Sequence, residues 1–382
     1  MIYREMAKLN EKVSLLSFGA MRLPTIGGES ANIDYPEAVR MMRTAFDQGV
    51  NYVDTAYGYH GGNSELAVAQ ALADGYRSKV LLATKSPTWR IESAADFPRF
   101  LDEQLTKLQT DHIDFYLQHG LGSSRLGKFH DFEIFQQAQK AKEAGKIRYY
   151  GFSFHDRLSV FEELLDNYPW DFVQIQYNYL DTEYQAGRAG LEKAAAMNIP
   201  VIAMEPLRGG RLAADLPPEV LALLQGAKPE RHPVEWAFRW LADQPGVTSI
   251  LSGMSTLAQV EHNLALCSIP SMVVGNLTTA ERDLLMEVAQ VWRARIRVNC
   301  TACNYCIPCP QGVEIPGLFS LYNNAAMFET WQQAQRRYTR LVEEKKDAAQ
   351  CNGCAACEGL CPHKVPIIAA LKELAAALAA KN

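Results

Sequence analysis

The sequence predicts an α/β protein in which a (β/α)8 barrel of the TIM type precedes a small, cysteine-rich α-helical domain. Between about residues 12 and 266, short β-branched or aromatic runs alternate eight times with longer amphipathic stretches. Nine cysteines are present, but only Cys267 lies among the first 299 residues, and the others fall between Cys300 and Cys361. The length of 382 residues leaves room for a barrel of about 250 residues and an appended domain.

Each of the eight predicted barrel strands is followed by a predicted helix. The strands cover residues 13–19, 52–56, 79–85, 113–119, 147–154, 172–178, 200–206 and 247–253. An open, doubly wound sheet is the rival architecture, but such a sheet normally carries a glycine-rich turn after its first strand. That position reads GAMRLP here, and no GxGxxG follows any strand, so the pattern favours the barrel.

Three segments follow from this pattern. We expect a barrel over residues 1–275, a linking helix over 276–299 and a cysteine-rich domain over 300–382. Within the last segment, residues 318–347 predict a charged helical insertion, and an alanine-rich helix ends the chain.

Composition excludes several classes of protein. Hydrophobic residues make up 48% and charged residues 21%, which is typical of a globular protein. The net charge of −5 provides no basic field for nucleic acid. No apolar run approaches the about 20 residues of a membrane helix, and the first residues lack the continuous apolar stretch of a secretory signal. We therefore expect a cytoplasmic protein that binds neither nucleic acid nor a membrane.

The cysteines form two groups with ferredoxin-like spacing. These groups are Cys300, Cys303, Cys306 and Cys309, and Cys351, Cys354, Cys357 and Cys361; proline follows the last cysteine of each group. In two-cluster ferredoxins, three closely spaced cysteines bind one 4Fe–4S cluster and the fourth binds the other cluster. The expected ligand sets are therefore Cys300, Cys303 and Cys306 with Cys361, and Cys351, Cys354 and Cys357 with Cys309.

Paired structural zinc sites are the alternative reading of these cysteines. Zinc sites usually use two CxxC pairs separated by a longer loop, which neither group has. The spacing therefore favours two 4Fe–4S clusters in a ferredoxin-like domain. One departure is that two residues, rather than three, precede Cys309.

Polar side chains of complementary chemistry follow three successive predicted strands. Asp54, Tyr57 and Tyr59 lie at the end of the second strand, Lys85 at the end of the third and His119 at the end of the fourth. Barrel enzymes hold their catalytic groups at the carboxyl ends of the strands. A carboxylate, a phenol, an amine and an imidazole at that place predict proton transfer at the barrel mouth.

The stretch DTAYGYHGGNSE (54–65), the TK that ends the third strand and the LQH that ends the fourth resemble the tetrad motif of the aldo-keto reductase family. The further combination with GAMRLP, GFSFHD and the cysteine-rich tail is similar to the branch of that family with a ferredoxin-like tail. The resemblance implies that Tyr59 is the general acid, and that Lys85, paired with Asp54, lowers the Tyr59 pKa. It also implies that His119 orients the substrate carbonyl and that a nicotinamide supplies hydride.

The same resemblance assigns the cofactor contacts. Ser153 and Gln174 stand where the family holds the nicotinamide carboxamide, and Arg208 with Gly209 where it holds a pyrophosphate. Around the last strand, Asn263 is kept, while Gly253 and Gln259 replace residues that often bind a 2′-phosphate. The missing basic residues favour NADH over NADPH as the NAD(P)H form used.

Three readings of function stay open at this stage. The first is an oxidoreductase that interconverts a small carbonyl compound and its alcohol, with the clusters transferring electrons to or from a redox partner such as ferredoxin. The second is a barrel that holds FMN and is coupled to the clusters, since Met204 stands where the family often has an aromatic residue. The third is an electron-transfer protein with an idle barrel. We further expect residues 120–131 and 208–230 to form substrate loops.

Overall fold

The computed structural model describes residues 1–300, 305–361 and 363–379. Its strands are β1 (Tyr3–Met6), β2 (Glu11–Ser14), β3 (Leu16–Gly19), β4 (Tyr52–Asp54), β5 (Leu81–Ser86), β6 (Ile113–Gln118), β7 (Ile147–Phe154), β8 (Phe172–Gln176), β9 (Val201–Met204) and β10 (Val247–Gly253). Its helices are α1 (Tyr35–Asp47), α2 (Ser64–Leu72), α3 (Asp96–Leu108), α4 (Ser123–Asp131), α5 (Ile134–Glu143), α6 (Leu158–Asn167), α7 (Gly187–Ala196), α8 (Pro218–Gly226), α9 (Pro233–Ala242), α10 (Leu257–Cys267), α11 (Thr279–Arg293), α12 (Ile315–Phe328), α13 (Trp331–Glu343), α14 (Ala356–Leu360) and α15 (Ile367–Leu378).

Strands β3 to β10 close into a barrel in the order β10-β3-β4-β5-β6-β7-β8-β9. Every neighbouring pair is parallel, because a helical crossover returns the chain to the same end of the barrel after each strand. The strands are almost wholly buried, and β6 shows no exposed residue along its length. The predicted (β/α)8 barrel is confirmed.

The predicted first strand (13–19) is wrong as a single strand. Strand β2 pairs antiparallel with β1, and β3 begins separately after Leu15. The hairpin buries Met6 and Val13 in one cluster with Phe115 and Phe172 from the barrel interior. The buried residues continue without a break from Val13 in β2 through Leu15 into β3, so the sequence reads as one run although the two strands belong to different sheets.

Contacts divide the chain into two compact units. One unit comprises Met1–Leu216 with Ala227–Arg282, and the other comprises Pro217–Gly226 with Asp283–Asn382. Most of α11 and all of α8 therefore belong to the second unit. The segments expected to be substrate loops also contain helices, namely α4 within 120–131 and α8 within 208–230.

The second unit is helical and has its own apolar core. Leu318, Phe319, Leu371 and Leu374 from α12 and α15 form the centre of that core. The helical insertion predicted over 318–347 consists of two helices, because α12 ends at Phe328 and the Glu329 that follows it has a φ of 54°, in the left-handed region. No helix in the described ranges is long and apolar enough to cross a membrane.

Candidate active site

A cleft of about 720 Å³ opens at the carboxyl ends of the barrel strands. Asp54, Tyr59, His119 and Gln174, which the sequence singles out, all line it. Asp54 ends β4, Tyr59 lies in the connection after it, His119 directly follows β6 and Gln174 lies within β8. The closed barrel thus converts separate strand ends into one site.

Lys85 and Asp54 form a buried ion pair beneath the cleft. Lys85 Nζ donates to Asp54 Oδ1 at 2.5 Å and to the Thr55 carbonyl at 2.8 Å. Burial raises the pKa of Asp54. For Lys85, burial is the largest single influence and lowers the pKa, but Asp54 and Tyr59 together raise it by more, so the net pKa is raised. The pair therefore holds a fixed ammonium ion inside the barrel mouth.

The Tyr59 hydroxyl lies beside that ammonium. Lys85 Nζ donates to Tyr59 Oη at 3.4 Å. A tight turn places this phenol, since His60, Gly61 and Gly62 follow it with φ values of 52°, 65° and 98°. His60 anchors the turn, because its Nε2 accepts from the Leu23 amide at 3.2 Å and its Nδ1 donates to the Ser30 carbonyl at 2.6 Å.

The other candidate phenol, Tyr57, has different partners. Its hydroxyl donates to Glu103 at 3.0 Å and accepts from Arg90 at 3.1 Å. Lys107 stacks on its ring at 4.2 Å from the centroid. These contacts all come from the β5–α3 connection and α3, and Tyr57 does not line the cleft. The geometry separates the two tyrosines more clearly than the sequence does.

Burial, and not Lys85, decides the direction of the Tyr59 pKa. Burial raises this pKa above its ordinary value of 10, and the Lys85 ammonium opposes the rise without cancelling it. The expectation of a lowered Tyr59 pKa is therefore wrong for this structure. The physical reason is that removing a phenolate from water costs more than one ammonium ion at 3.4 Å returns.

His119 faces Tyr59 across the cleft. The two rings meet edge to face with centroids 5.8 Å apart, and Trp89 packs on the imidazole at 5.2 Å. Burial lowers the pKa of His119 well below 6.5, and the positive charge of Lys85 lowers it further. His119 is therefore neutral at neutral pH, and its Nδ1 is buried without a hydrogen-bond partner among residues 1–300, 305–361 and 363–379.

Most residues assigned to the nicotinamide cofactor lie around the same cleft. Gln174, Gly209, Gly253 and Asn263 line it, whereas Ser153 is buried behind this wall, where its hydroxyl accepts from the Gly120 amide at 2.8 Å. Gln174 Oε1 is buried, and nothing in the described part of the chain donates to it. A carboxamide N–H would satisfy that acceptor, so the polar wall fits a nicotinamide.

Arg208 has a structural partner. Its Nε and Nη2 donate to the two carboxylate oxygens of Asp181 at 2.7 and 2.9 Å, and it packs on the Tyr184 ring. Asp181 also accepts from Gln176 and Asn178 at 2.7 and 2.8 Å. A nearly buried carboxylate therefore engages two nitrogens of this guanidinium, and the pyrophosphate role of Arg208 stays a prediction.

Arg22 and His155 line the cleft but are absent from the sequence prediction. Arg22 lies three residues after the end of β3, and a Cβ built on Gly209 would stand only 2.8 Å from its Nη2. His155 directly follows β7 and is accessible from the cleft. Both positions follow strand ends, so the rule that located Lys85 and His119 was able to locate them as well.

Two further histidines line the cleft. The rings of His232 and His262 are 4.9 Å apart, edge to face. Burial lowers the pKa of His262, and the neighbouring His232 lowers it further. His262 is therefore uncharged at neutral pH.

The predicted cluster ligands lie in the second unit, except that Cys303 falls outside the described residues. Cys357 is buried in the core of this unit, and Cys300, Cys306, Cys309, Cys351 and Cys361 pack against that core. Burial raises the pKa of the Cys357 thiol, and the thiols of Cys351 and Cys309 raise it further. These three cysteines belong to one predicted ligand set.

The cysteine loop after Cys351 turns sharply, with φ values of 76° at Gly353 and 58° at Ala355. Among the described residues, no three metal-ligating side chains converge as they would around one bound ion. The donor chemistry nevertheless fits iron–sulfur ligation, which requires closely spaced thiols on a loop. Cys267, by contrast, is buried, and burial raises its pKa to about 12, as expected for an apolar core thiol.

Comparison with known proteins agrees with this geometry. The Aldo/keto reductase family matches residues 15–280, and a 4Fe-4S dicluster domain matches residues 299–366. L-galactose dehydrogenase of Arabidopsis thaliana is 27% identical over 320 residues, which cover 78% of this chain and 98% of that protein. Methylglyoxal reductase YeaE of Escherichia coli is 28% identical over 282 residues, which cover 70% and 91% of the two chains. The solved holo form of aldo-keto reductase AKR11C1 from Bacillus halodurans has a TM-score of 0.64 and 28% identity, and the match covers 75% of this chain and 96% of that one.

A closed parallel barrel with this cleft, together with these relatives, defines an oxidoreductase. The chain belongs to the aldo/keto reductase family, and its C-terminal part carries a 4Fe-4S dicluster domain. The family resemblance stated from the sequence is thereby confirmed.

Proposed function

We propose that the barrel interconverts a small carbonyl compound and its alcohol by hydride transfer, with Tyr59 as the general acid. The observation that carries this proposal is the contact of the Tyr59 hydroxyl with the buried Lys85–Asp54 pair at the wall of the cleft. A protonated phenol with a raised pKa keeps its proton until a more basic oxygen develops nearby. The alkoxide that forms during carbonyl reduction is such an oxygen.

The roles of the other residues follow from their states. Lys85 stabilises the phenolate that Tyr59 becomes after it donates its proton, and Asp54 keeps Lys85 charged and in place. Neutral His119 hydrogen-bonds the carbonyl oxygen and orients the substrate. When bound, NAD(P)H would supply a hydride, which is a proton together with two electrons, to the carbonyl carbon. The Tyr59 proton completes the alcohol.

For the cofactor, the proposal assigns Gln174, with Ser153 behind it, to the nicotinamide carboxamide. Gly209, Gly253 and Asn263 line the remaining wall. We propose NADH as the form used, because Gly253 and Gln259 offer no positive charge for a 2′-phosphate.

Arg22, the basic residue that the sequence prediction missed, does not change this preference for NADH. Its guanidinium faces Glu205 at 3.9 Å. A carboxylate so close reduces the attraction of this guanidinium for a phosphate.

For the second unit, we propose two 4Fe–4S clusters that exchange electrons with a redox partner such as ferredoxin. The ligand sets are those given by the spacing, with Cys309 and Cys361 exchanged between groups, and the packing of Cys309 and Cys351 against the core that contains Cys357 supports one of them. FMN in the barrel is the alternative carrier. It would convert two-electron into one-electron transfer, and Met204 lines the cleft without an aromatic ring.

The two tyrosines provide the test of the barrel reaction. Tyr59→Phe removes the hydroxyl and keeps the ring, and we expect NAD(P)H-dependent carbonyl reduction to fall by about 100- to 10,000-fold. Tyr57→Phe is the matched control and should retain turnover, because Tyr57 bonds with Glu103 and Arg90. Cofactor binding, measured by fluorescence titration, should persist in both variants. Normal turnover in Tyr59→Phe would refute the assignment, and absence of any turnover in the wild type would favour the idle barrel.

A further inference from the structure

His155 lies in the cleft and has no role in the proposed reaction. It is the first residue after β7, and it lines the cleft together with Tyr59 and His119. The residue is accessible from the cleft, and its Nδ1 lies 3.2 Å from Oε1 of Gln185. Gln185 belongs to the β8–α7 connection, where its φ of 58° is in the left-handed region. Two neighbouring loops thus fix the orientation of this imidazole.

The Gln185 contact determines where His155 carries its proton. An amide oxygen only accepts hydrogen bonds, so Nδ1 must be the donor. Desolvation lowers the pKa of His155, so the ring is neutral at neutral pH and holds a single proton. The proton is on Nδ1, and Nε2 therefore presents a bare lone pair. His155 is a hydrogen-bond acceptor in the cleft.

His119 has the opposite polarity. Its Nδ1 is buried, and no donor or acceptor in the described ranges reaches it. A buried N–H without an acceptor is costly, so the proton of the neutral ring belongs on Nε2, where a substrate oxygen is able to accept it. Tyr59 and His119 are then two donors for a carbonyl oxygen, which has two lone pairs. The hydrogen-bond acceptor of His155 has no partner on a carbonyl compound that lacks a further donor group.

The charged groups around His155 also bear on the substrate. Glu205 lines the same cleft, and its negative charge acts on both His155 and Tyr59. Arg125 and Lys85 are the cations that act on His155; the first donates to the Gly120 carbonyl at 2.6 Å and the second is paired with Asp54. Arg22, a further cation that lines the cleft, faces Glu205 at 3.9 Å. Because each of these cations already has a carboxylate or carbonyl beside it, the cleft favours a neutral hydroxyl over an anionic group.

We propose that His155 is a substrate-binding residue that accepts a hydrogen bond from a hydroxyl group next to the reacting carbonyl. The preferred substrate class is then a neutral hydroxycarbonyl compound. This inference rests on the proposed carbonyl reduction, which it deepens by naming the substrate class. The determinant is the acceptor nitrogen of His155, oriented by Gln185.

The test compares hydroxyacetone with butanone as substrates of the full-length protein. The two ketones have similar size and differ by a hydroxyl in place of a methyl group. In the wild type, kcat/KM should be higher for hydroxyacetone. In His155→Phe, which keeps a ring but lacks both nitrogens, the ratio of the two kcat/KM values should fall by about 3- to 10-fold, as for the loss of one neutral hydrogen bond. The hydroxyl also makes the carbonyl more electrophilic, but that effect cancels when the ratio is compared between variants.

Three further variants separate this role from a general disturbance of the site. His155→Gln restores an acceptor and should recover part of the ratio. Gln185→Met removes the group that fixes the His155 proton and should lower the ratio by less than His155→Phe does. His112→Ala is the matched control, because His112 precedes β6 at the amino end of the barrel, and its ratio should equal that of the wild type.

The outcomes distinguish this inference from the proposed function. Turnover of both ketones with a ratio that His155→Phe leaves unchanged overturns the role of His155 alone. An equal loss for both ketones in that variant, with no change in ratio, also overturns it, since it indicates a structural effect. Absence of turnover of either ketone by the wild type, with NADH or NADPH, overturns the proposed function together with the inference.

Discussion

At the scale of single residues, the barrel mouth assigns different protonation states to groups that lie within one cleft. Burial raises the pKa of Tyr59 and lowers that of His119, so the phenol keeps its proton while the imidazole remains uncharged. The Lys85 ammonium contributes to both shifts, opposing the first and adding to the second. Only Tyr59 is therefore suited to donate a proton at neutral pH.

These states predict the pH dependence of reduction. A general acid must hold its proton, so activity is lost as pH rises through the Tyr59 pKa, which lies above 10. His119, with a pKa well below 6.5, stays neutral as pH falls to that value. Single-turnover reduction should therefore be constant between about pH 6.5 and 10 and should fall only at higher pH. A decline centred near pH 8 in the wild type would show that the effect of Lys85 outweighs burial, so that the net Tyr59 pKa is lowered.

Cofactor choice is also decided by single residues. We expect NADH to bind more tightly than NADPH in a fluorescence titration of the wild type. Gln259→Arg supplies the missing charge and should tighten NADPH binding by about 10- to 100-fold, the value of one charged hydrogen bond. NADH affinity is the internal control, because it has no 2′-phosphate. Tighter binding of NADPH by the wild type would assign the phosphate to Arg22.

At the scale of elements, the connections after the strands combine structural and functional residues. Asp181, in the β8–α7 connection, gathers Gln176, Asn178 and Arg208 and so joins β8 to the loop after β9. The same β8–α7 connection supplies Gln185, which orients His155. Arg208, which the sequence analysis assigned to cofactor binding, therefore also stabilises the loop that shapes the cleft.

The Arg208–Asp181 pair predicts a loss of stability. Arg208→Ala leaves a nearly buried carboxylate unpaired and should lower the free energy of unfolding by about 3–5 kcal/mol. Chemical denaturation followed by circular dichroism measures this change. The free energy of unfolding should therefore fall strongly, whereas the dissociation constant of NADH for the folded variant should change little. If the denaturation midpoint of Arg208→Ala is unaltered and NADH binding is much weaker, Arg208 acts as a pyrophosphate ligand.

At the scale of the whole molecule, two chemistries share one chain. The chain joins an aldo/keto reductase barrel to a 4Fe-4S dicluster domain, and we propose that the first transfers hydride and the second single electrons. The proposed ligand sets predict about eight iron and eight acid-labile sulfide per chain after anaerobic purification. A count near four would mean that one cluster assembles, and the short spacing before Cys309 would be responsible. Zinc without visible colour would refute the iron–sulfur reading.

Coupling between the two chemistries is measurable in the visible spectrum. If the clusters belong to an external electron partner, NADH should leave them oxidised under anaerobic conditions, whereas a reduced low-potential ferredoxin should bleach them. Rapid bleaching by NADH, with an extractable flavin, would instead support FMN as the mediator. Bleaching by NADH without flavin would show direct transfer and contradict both expectations.

The sequence by itself determined the features that depend on local pattern. Eight strand–helix units, the cysteine groups and the residues at the ends of β4, β5 and β6 are all readable because periodicity, spacing and strand ends are properties of short segments. Where neighbouring segments share one pattern, as β2 does with β3, the sequence prediction merged them. The family resemblance selected Tyr59 over Tyr57, and the structure adds that the Tyr59 hydroxyl lies next to Lys85 while Tyr57 contacts Glu103 and Arg90.

The tertiary structure alone decided which side chains meet. Arg208 pairs with Asp181, and Arg22, which follows β3, lies near Glu205, which follows β9. The orientation of His155 by Gln185 also requires two loops that only the closed barrel brings together. The direction of the Tyr59 pKa depends on how much water the folded cleft excludes. Partners and burial are long-range properties of the fold, and for that physical reason no local pattern contains them.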